Sequence, residues 1–179
     1  NFYFHNGDYL HISDVEELLL ISGGTFGDDN LIGFDDRENI LDGRQGDDTL
    51  VGGRYSDTYL FGVNYGFDQI TEVLETQEVA GAADRIVFGA LVDKDNIIVR
   101  RDGANLLITI AASGDQLKII GGLEQRLIET YDFVDGTIWS HEDVLAALLR
   151  GTDEDDELIG FNISDDLLDG GKGSDDLQG

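Results

Sequence analysis

Cysteine, methionine and proline are absent from the 179 residues, and lysine and arginine together number only 11. Without cysteine there is no disulfide and no thiolate zinc site. A chain lacking disulfides needs another staple, and a metal ion can serve. No apolar run approaches the ~20 residues of a membrane-spanning helix. The opening Asn1-Phe2-Tyr3-Phe4-His5 has neither the basic start nor the apolar stretch of a signal peptide. Against the few bases stand 38 acids, giving a formal net charge of −27. Such a chain is repelled by nucleic acid and by anionic membrane surfaces, and it offers no Lys/Arg cluster for a polyphosphate backbone. Catalytic patterns are missing too. His141-Glu142 has no second histidine at zinc-protease spacing, and no Ser–His–Asp set or phosphate-cradling glycine loop stands out. His5, His11 and His141 read as surface or helix-start residues. Asp93-Lys94-Asp95-Asn96 begins like an EF-hand loop but carries Ile98 where glycine is required, so it reads as a surface turn. Asn162-Ile163-Ser164 is a formal glycosylation sequon inside a turn. The 41% hydrophobic content suffices for a core.

What the chain does have is glycine and aspartate in a fixed rhythm. Gly43-Arg44-Gln45-Gly46-Asp47-Asp48-Thr49-Leu50-Val51 is followed directly by Gly52-Gly53-Arg54-Tyr55-Ser56-Asp57-Thr58-Tyr59-Leu60. Each unit is close to Gly-Gly-x-Gly-x-Asp-x-apolar-x. Six residues turn the chain, with glycine permitting positive φ. Three form a short strand whose middle residue, Leu50 or Tyr59, faces a core. The turn offers inward carbonyls and one carboxylate at its sixth place. Oxygen-only donors suit a hard cation, and calcium tolerates an irregular shell. Residues 24–32 form an earlier unit with Asp29 and Leu31. Residues 33–42 form a ten-residue unit with Asn39 in place of the acid and Leu41 in the core. Arg37 and Asn39 predict a weaker or empty site there, and Tyr55, at a glycine position, predicts a differently shaped turn. The rhythm returns at 151–159 (Asp156, Leu158), 160–169 (Asp166, Leu168) and 170–178 (Asp175, Leu177).

Between the blocks the period changes. Residues 66–70 read as closing the first block and 71–83 as an acidic connection. Strands are expected at 85–88, 96–100, 106–110, 116–120 and 127–133, with turns at Asp102-Gly103, Ser113-Gly114-Asp115 and Asp135-Gly136. Ser13-Asp14-Val15-Glu16 and Ser140-His141-Glu142-Asp143 read as capping boxes opening short helices. Val144, Leu145, Leu148 and Leu149 form one apolar face of the second. Trp139 reads as core rather than as a sugar platform. A longer period is also visible. Leu31-Ile32-Gly33-Phe34 matches Leu158-Ile159-Gly160-Phe161 at an offset of 127 residues, extra residue included, and the helices before the blocks match at 129. The chain therefore reads as about one and a half copies of a tandem unit, a piece of a longer array.

The nonapeptides resemble the RTX, or haemolysin-type, calcium-binding repeat. Residues 62–150, with Phe-x-Asp-Gly-Thr-x-Trp at 133–139, resemble the haemolysin-type calcium-binding-related module that accompanies it in large bacterial RTX proteins. The resemblance implies an all-β dominated fold in which parallel β-roll blocks flank a β-rich module with short capping helices. The implied divisions are 1–22, the end of a preceding module; 23–61, a four-rung block; 62–150, the module; and 151–179, the start of a second block. In the family, rung n shares a calcium ion with rung n+2. Carried over, Asp29 pairs with Asp48, Asn39 with Asp57 and Asp156 with Asp175, while Asp166 awaits a further rung. Main-chain ligands fall at Gly24, Phe26, Asp28, Gly43, Gln45, Asp47, Gly151, Asp153, Asp155, Gly170, Lys172 and Ser174.

The resemblance further implies a non-catalytic, monomeric segment of a Gram-negative protein, exported by the type I secretion machinery to the exterior or cell surface. Its cofactor would be Ca²⁺ and its neighbours the adjoining repeats of its own chain. The alternative is an adhesin module binding carbohydrate or a host surface. Charge distribution agrees with calcium-driven folding. The two blocks, 24–60 and 151–179, hold 19 of the 38 acids, four bases and 13 of the 24 glycines. Clustered carboxylates repel one another and glycine adds chain entropy, so bound ions become folding energy.

Overall fold

The computed structural model describes residues 2–3, 9–10, 21–72, 79–161 and 166–179. The helix expected after Ser13, His5, His11 and the sequon at 162–164 lie outside the described residues. The described part is strand-dominated. Two short antiparallel strands, β1 (Phe2–Tyr3) and β2 (Tyr9–Leu10), come first. Six strands then follow one another: β3 (Ile21–Gly23), β4 (Asn30–Ile32), β5 (Ile40–Asp42), β6 (Thr49–Val51), β7 (Thr58–Phe61) and β8 (Phe67–Thr71). Successive strands go to alternate sheets. β3, β5 and β7 pair in parallel in one sheet, and β4, β6 and β8 in the other. The cause is the nine-residue period, because a six-residue turn followed by three extended residues carries the chain across once per unit. In β5, β6 and β7 the apolar residue at the core position of its unit points inward. Leu41, Leu50 and Tyr59 are accordingly buried, stacked between the sheets with Ile70 and Ile86.

The stacks run on past Phe61 and past Ile70. β9 (Arg85–Phe88) pairs in parallel with β7, and β13 (Thr130–Asp132) with β9; β14 (Ile138–Ser140) then closes that sheet antiparallel. In the other sheet β12 (Gln116–Ile119) pairs in parallel with β8, followed by antiparallel β11 (Asn105–Ile110) and β10 (Ile97–Asp102). The described residues of 62–150 thus share both sheets and one core with the nonapeptides before them. The hairpin turns fall at the expected glycines: Gly103, Gly114 and Gly136 all have positive φ. Helix α1 (His141–Ala147) is held by a Ser140–Asp143 capping box, and Val144 and Leu148 are buried beneath it.

The long period has a structural counterpart. β15 (Glu157–Ile159) pairs in parallel with β16 (Asp176–Gln178), Leu158 opposite Leu177. This is the β4–β6 pairing, Leu31 opposite Leu50, displaced by 127 residues. The Arg150–Asp169 bridge likewise repeats the Gly23–Asp42 pairing.

The turns show where glycine is needed. Gly46 has φ of 131°, and a Cβ there would lie 2.6 Å from the carbonyl carbon of Gly27 in the neighbouring turn. Arg44 is left-handed too, with φ of 70°, whereas Tyr55 is not among the residues with positive φ. The Tyr55 turn therefore avoids the strain that a bulky side chain would meet in that region.

Candidate metal centre

The sixth residues of the units stand in two columns, one per sheet. In one column Asp29 N–H donates to Asp48 Oδ1 at 2.8 Å, and Asp48 N–H to Asp68 Oδ1 at 3.0 Å. In the other, Asn39 N–H donates to Asp57 Oδ1 at 2.7 Å, Asp57 N–H to Asp84 Oδ1 at 2.6 Å, and Asp84 N–H to Glu129 Oε2 at 2.7 Å. The second block repeats the step: Asp156 N–H donates to Asp175 Oδ1 at 3.1 Å. All three expected pairs, 29 with 48, 39 with 57 and 156 with 175, are therefore brought together. Each contact arises because parallel strands in register stack sixth residue upon sixth residue.

Asp68, Asp84 and Glu129 extend these columns although they lie outside any nonapeptide. Their signal is short: acid-x-apolar, as in Asp68-x-Ile70, Asp84-x-Ile86 and Glu129-x-Tyr131, just as in Asp48-x-Leu50. Glu72, which follows β8, carried no such signal. The first column stops where apolar Leu117 stands opposite Asp68.

Most of the sixth side chains also fasten their own turn. Asp29 Oδ2 accepts from Thr25 N–H at 2.6 Å, Asp57 Oδ2 from Gly53 N–H at 2.5 Å, and Asp156 Oδ2 from Thr152 N–H at 2.6 Å. In the ten-residue units Asn39 Oδ1 accepts from Phe34 N–H at 2.8 Å and Asp166 Oδ2 from Phe161 N–H at 2.5 Å. Asp48 and Asp68 break the pattern. Asp48 is 1% and Asp68 0% exposed, and the Oδ2 atom of each is buried without a hydrogen-bond partner. Burial raises the Asp48 carboxyl above the ordinary aspartate value. Burial, reinforced by Asp48 and Asp47, pushes Asp68 up to about 7. Two buried carboxylate oxygens without donors are costly as they stand. A hard, oxygen-seeking cation is the group whose needs they match.

The residues named for main-chain ligation lie on neighbouring stacked turns. A Cβ on Gly24 would collide with the Gly43 carbonyl oxygen, and one on Gly151 with that of Gly170. Asp47 N–H donates to Asp28 Oδ1 at 2.9 Å and Ser174 N–H to Asp155 Oδ1 at 2.8 Å. Lys172 Nζ reaches Asp153 Oδ2 at 2.5 Å. Phe26 is exposed on the first turn, and Gln45 is exposed beside Gly46.

In the second column Asp57, Glu72 and Asp84 bring carboxylate oxygens within 4.8 Å of one another, all buried. Tyr59 donates its hydroxyl to Glu72, and Asn39 Nδ2 donates to Asp57 Oδ1 at 2.7 Å. Burial raises the Asp57 carboxyl and, with Glu72 beside it, holds the Tyr59 hydroxyl well above its ordinary range. Asn39 thus presents a neutral donor to Asp57 of this group.

Two residues set apart in the sequence stand elsewhere. Trp139 packs edge-on against Phe133 with ring centroids 5.2 Å apart, beside the core. His141 opens α1 as expected but is buried, not at the surface, and its Nδ1 lacks a partner. No family model matches this chain, and no curated protein matches it.

Proposed function

We propose that the chain binds calcium between stacked turns of a parallel β-roll, and that the ions drive its folding. One observation carries the reading: the buried, donor-less Oδ2 atoms of Asp48 and Asp68, residues of two adjacent rungs. The RTX resemblance supports it, as do the shared register of the turns and the concentration of acids in the blocks. Asp29, Asp48 and Asp68 would form one line of ligands, with Asp57 and Asp84 in the other. Calcium modules that work outside the cell bind at about 10⁻⁴–10⁻³ M. Sites of that strength are empty in cytosol and filled outside it. The turns that depend on ions would then stay open for type I export, close on exit, and serve as a non-catalytic scaffold for neighbouring parts of a larger secreted protein.

Calorimetric calcium titration tests the assignment. Asp48→Ala should weaken binding by ~10-fold or more, equivalent to ~1.4 kcal/mol. Asp36→Ala should leave affinity near wild type, because Asp36 is exposed and merely pairs with Arg37 at 2.9 Å. Equal losses in the two variants would refute the register of the site.

A further inference from the structure

Asp156 heads the second block as Asp29 heads the first. Both carboxylates bind the threonine four residues earlier, and both backbone N–H groups donate to the carboxylate nineteen residues later. They differ in what meets the other oxygen. Asp156 Oδ1 receives the Arg100 guanidinium, Nη2 at 3.2 Å, and the aspartate side chain is only 4% exposed. The next residue, Arg101, donates from Nη2 to the Ile159 carbonyl at 2.8 Å and stands over the Phe161 ring at 4.6 Å. Both arginines lie on β10, the outermost strand of its sheet.

The corresponding residues of the first block are Asp29, Ile32 and Phe34. Asp29 makes no ion pair among the described residues, and Ile32 is 65% exposed against 43% for Ile159. The arginine over Phe34 is Arg37, from the same turn. Two backbones with the same pairing are thus furnished differently at the same carboxylate.

We propose that Arg100 is a built-in cation. It stands at Asp156 in place of a divalent ion and, with Arg101, holds the first turn of the second block closed whether or not metal is present. A guanidinium is charged at every physiological pH and presents N–H groups to a carboxylate. Asp156 has both oxygens engaged, unlike Asp48, so it offers no waiting ligand atom. A divalent ion placed there would also face the guanidinium's positive charge. Removing the arginine would leave a buried, uncompensated carboxylate, which is strongly destabilising. The second block would then need an ion that it now does without. The calcium half of this proposal rests on the proposed function; the chelator half does not.

Amide hydrogen exchange on the full chain tests it, read at Gly160, whose N–H donates to Gln178 O at 2.7 Å, and at Asp176, whose N–H donates to Asp156 O at 2.8 Å. In wild type these amides should be protected in chelator, and calcium should change them little. Arg100→Gln should lose at least ~10-fold of that protection in chelator and regain it in millimolar calcium. Arg100→Lys, which keeps the charge, should retain it. Wild-type protection that appears only with calcium would overturn the proposal, as would Arg100→Gln matching wild type in chelator. Loss that calcium does not restore would also overturn it, reducing Arg100 to a strut. Failure of the Asp48→Ala calorimetry would leave the chelator result standing, so the two readings can fail separately.

Discussion

Asp68 concentrates the electrostatic problem of this protein in one side chain. It is wholly buried, its Oδ2 has no donor, and its neighbours are acids. In the absence of metal it is more easily protonated when folded, at about 7, than when unfolded, at the ordinary 3.8. Between those values the folded state holds the extra proton. Its contribution to stability is therefore fullest on the acid side and is lost as pH rises from about 4 to about 7. Asp48 and Asp57, raised by burial, act in the same direction. Urea midpoints measured in chelator should fall across that window, and Asp68→Asn should flatten the fall. Midpoints that rise with pH in both proteins would contradict the placement of these carboxylates. Calcium should reverse the slope, because it favours the ionised form.

At the scale of the element, the unit is a turn plus three residues, and the turns stack with their backbones in close approach. Gly27 and Gly46 occupy the same place in two stacked units, yet their surroundings differ. A Cβ on Gly27 meets nothing within 4 Å, whereas one on Gly46 would drive into the Gly27 carbonyl from a left-handed backbone. Gly46→Ala should cost about 1–3 kcal/mol and Gly27→Ala far less, as read by urea denaturation. Comparable costs would mean that the turns do not stack as described. Much of this level was legible in the sequence. The period gave β4 to β7 with Leu41, Leu50 and Tyr59 inward, and Ser140 with Asp143 gave α1. Its limits have physical causes. Phe67 to Ile70 read as the end of a block because glycine runs out there. Pairing is decided by strand register rather than by glycine, and β8, β9, β12 and β13 keep that register without the motif. The waiting oxygens of Asp48 and Asp68, and Glu72 beside Asp57, arise from contacts between distant segments that no local pattern encodes. Arg100 lies 56 residues before the carboxylate it meets.

For the whole molecule, the governing quantity is the net charge of −27 set against nonapeptide rungs whose strands are only three or four residues long. β5 and β6 bury one side chain each, Leu41 and Leu50, so repulsion among stacked carboxylates is large relative to what such a rung contributes. Asp48, Asp57, Asp68, Glu72 and Asp84 are all buried. On the proposed function, a divalent ion shared between two turns would remove repulsion and join rungs in a single event, coupling binding to folding. Far-ultraviolet circular dichroism of the whole chain, recorded at neutral pH in chelator and then through a calcium titration, tests that coupling most directly. A partial β signal is expected in chelator, retained where Arg100 on β10 meets the second block, and it should grow cooperatively as calcium reaches the millimolar range. A full β signal in chelator, unchanged by calcium, would contradict it.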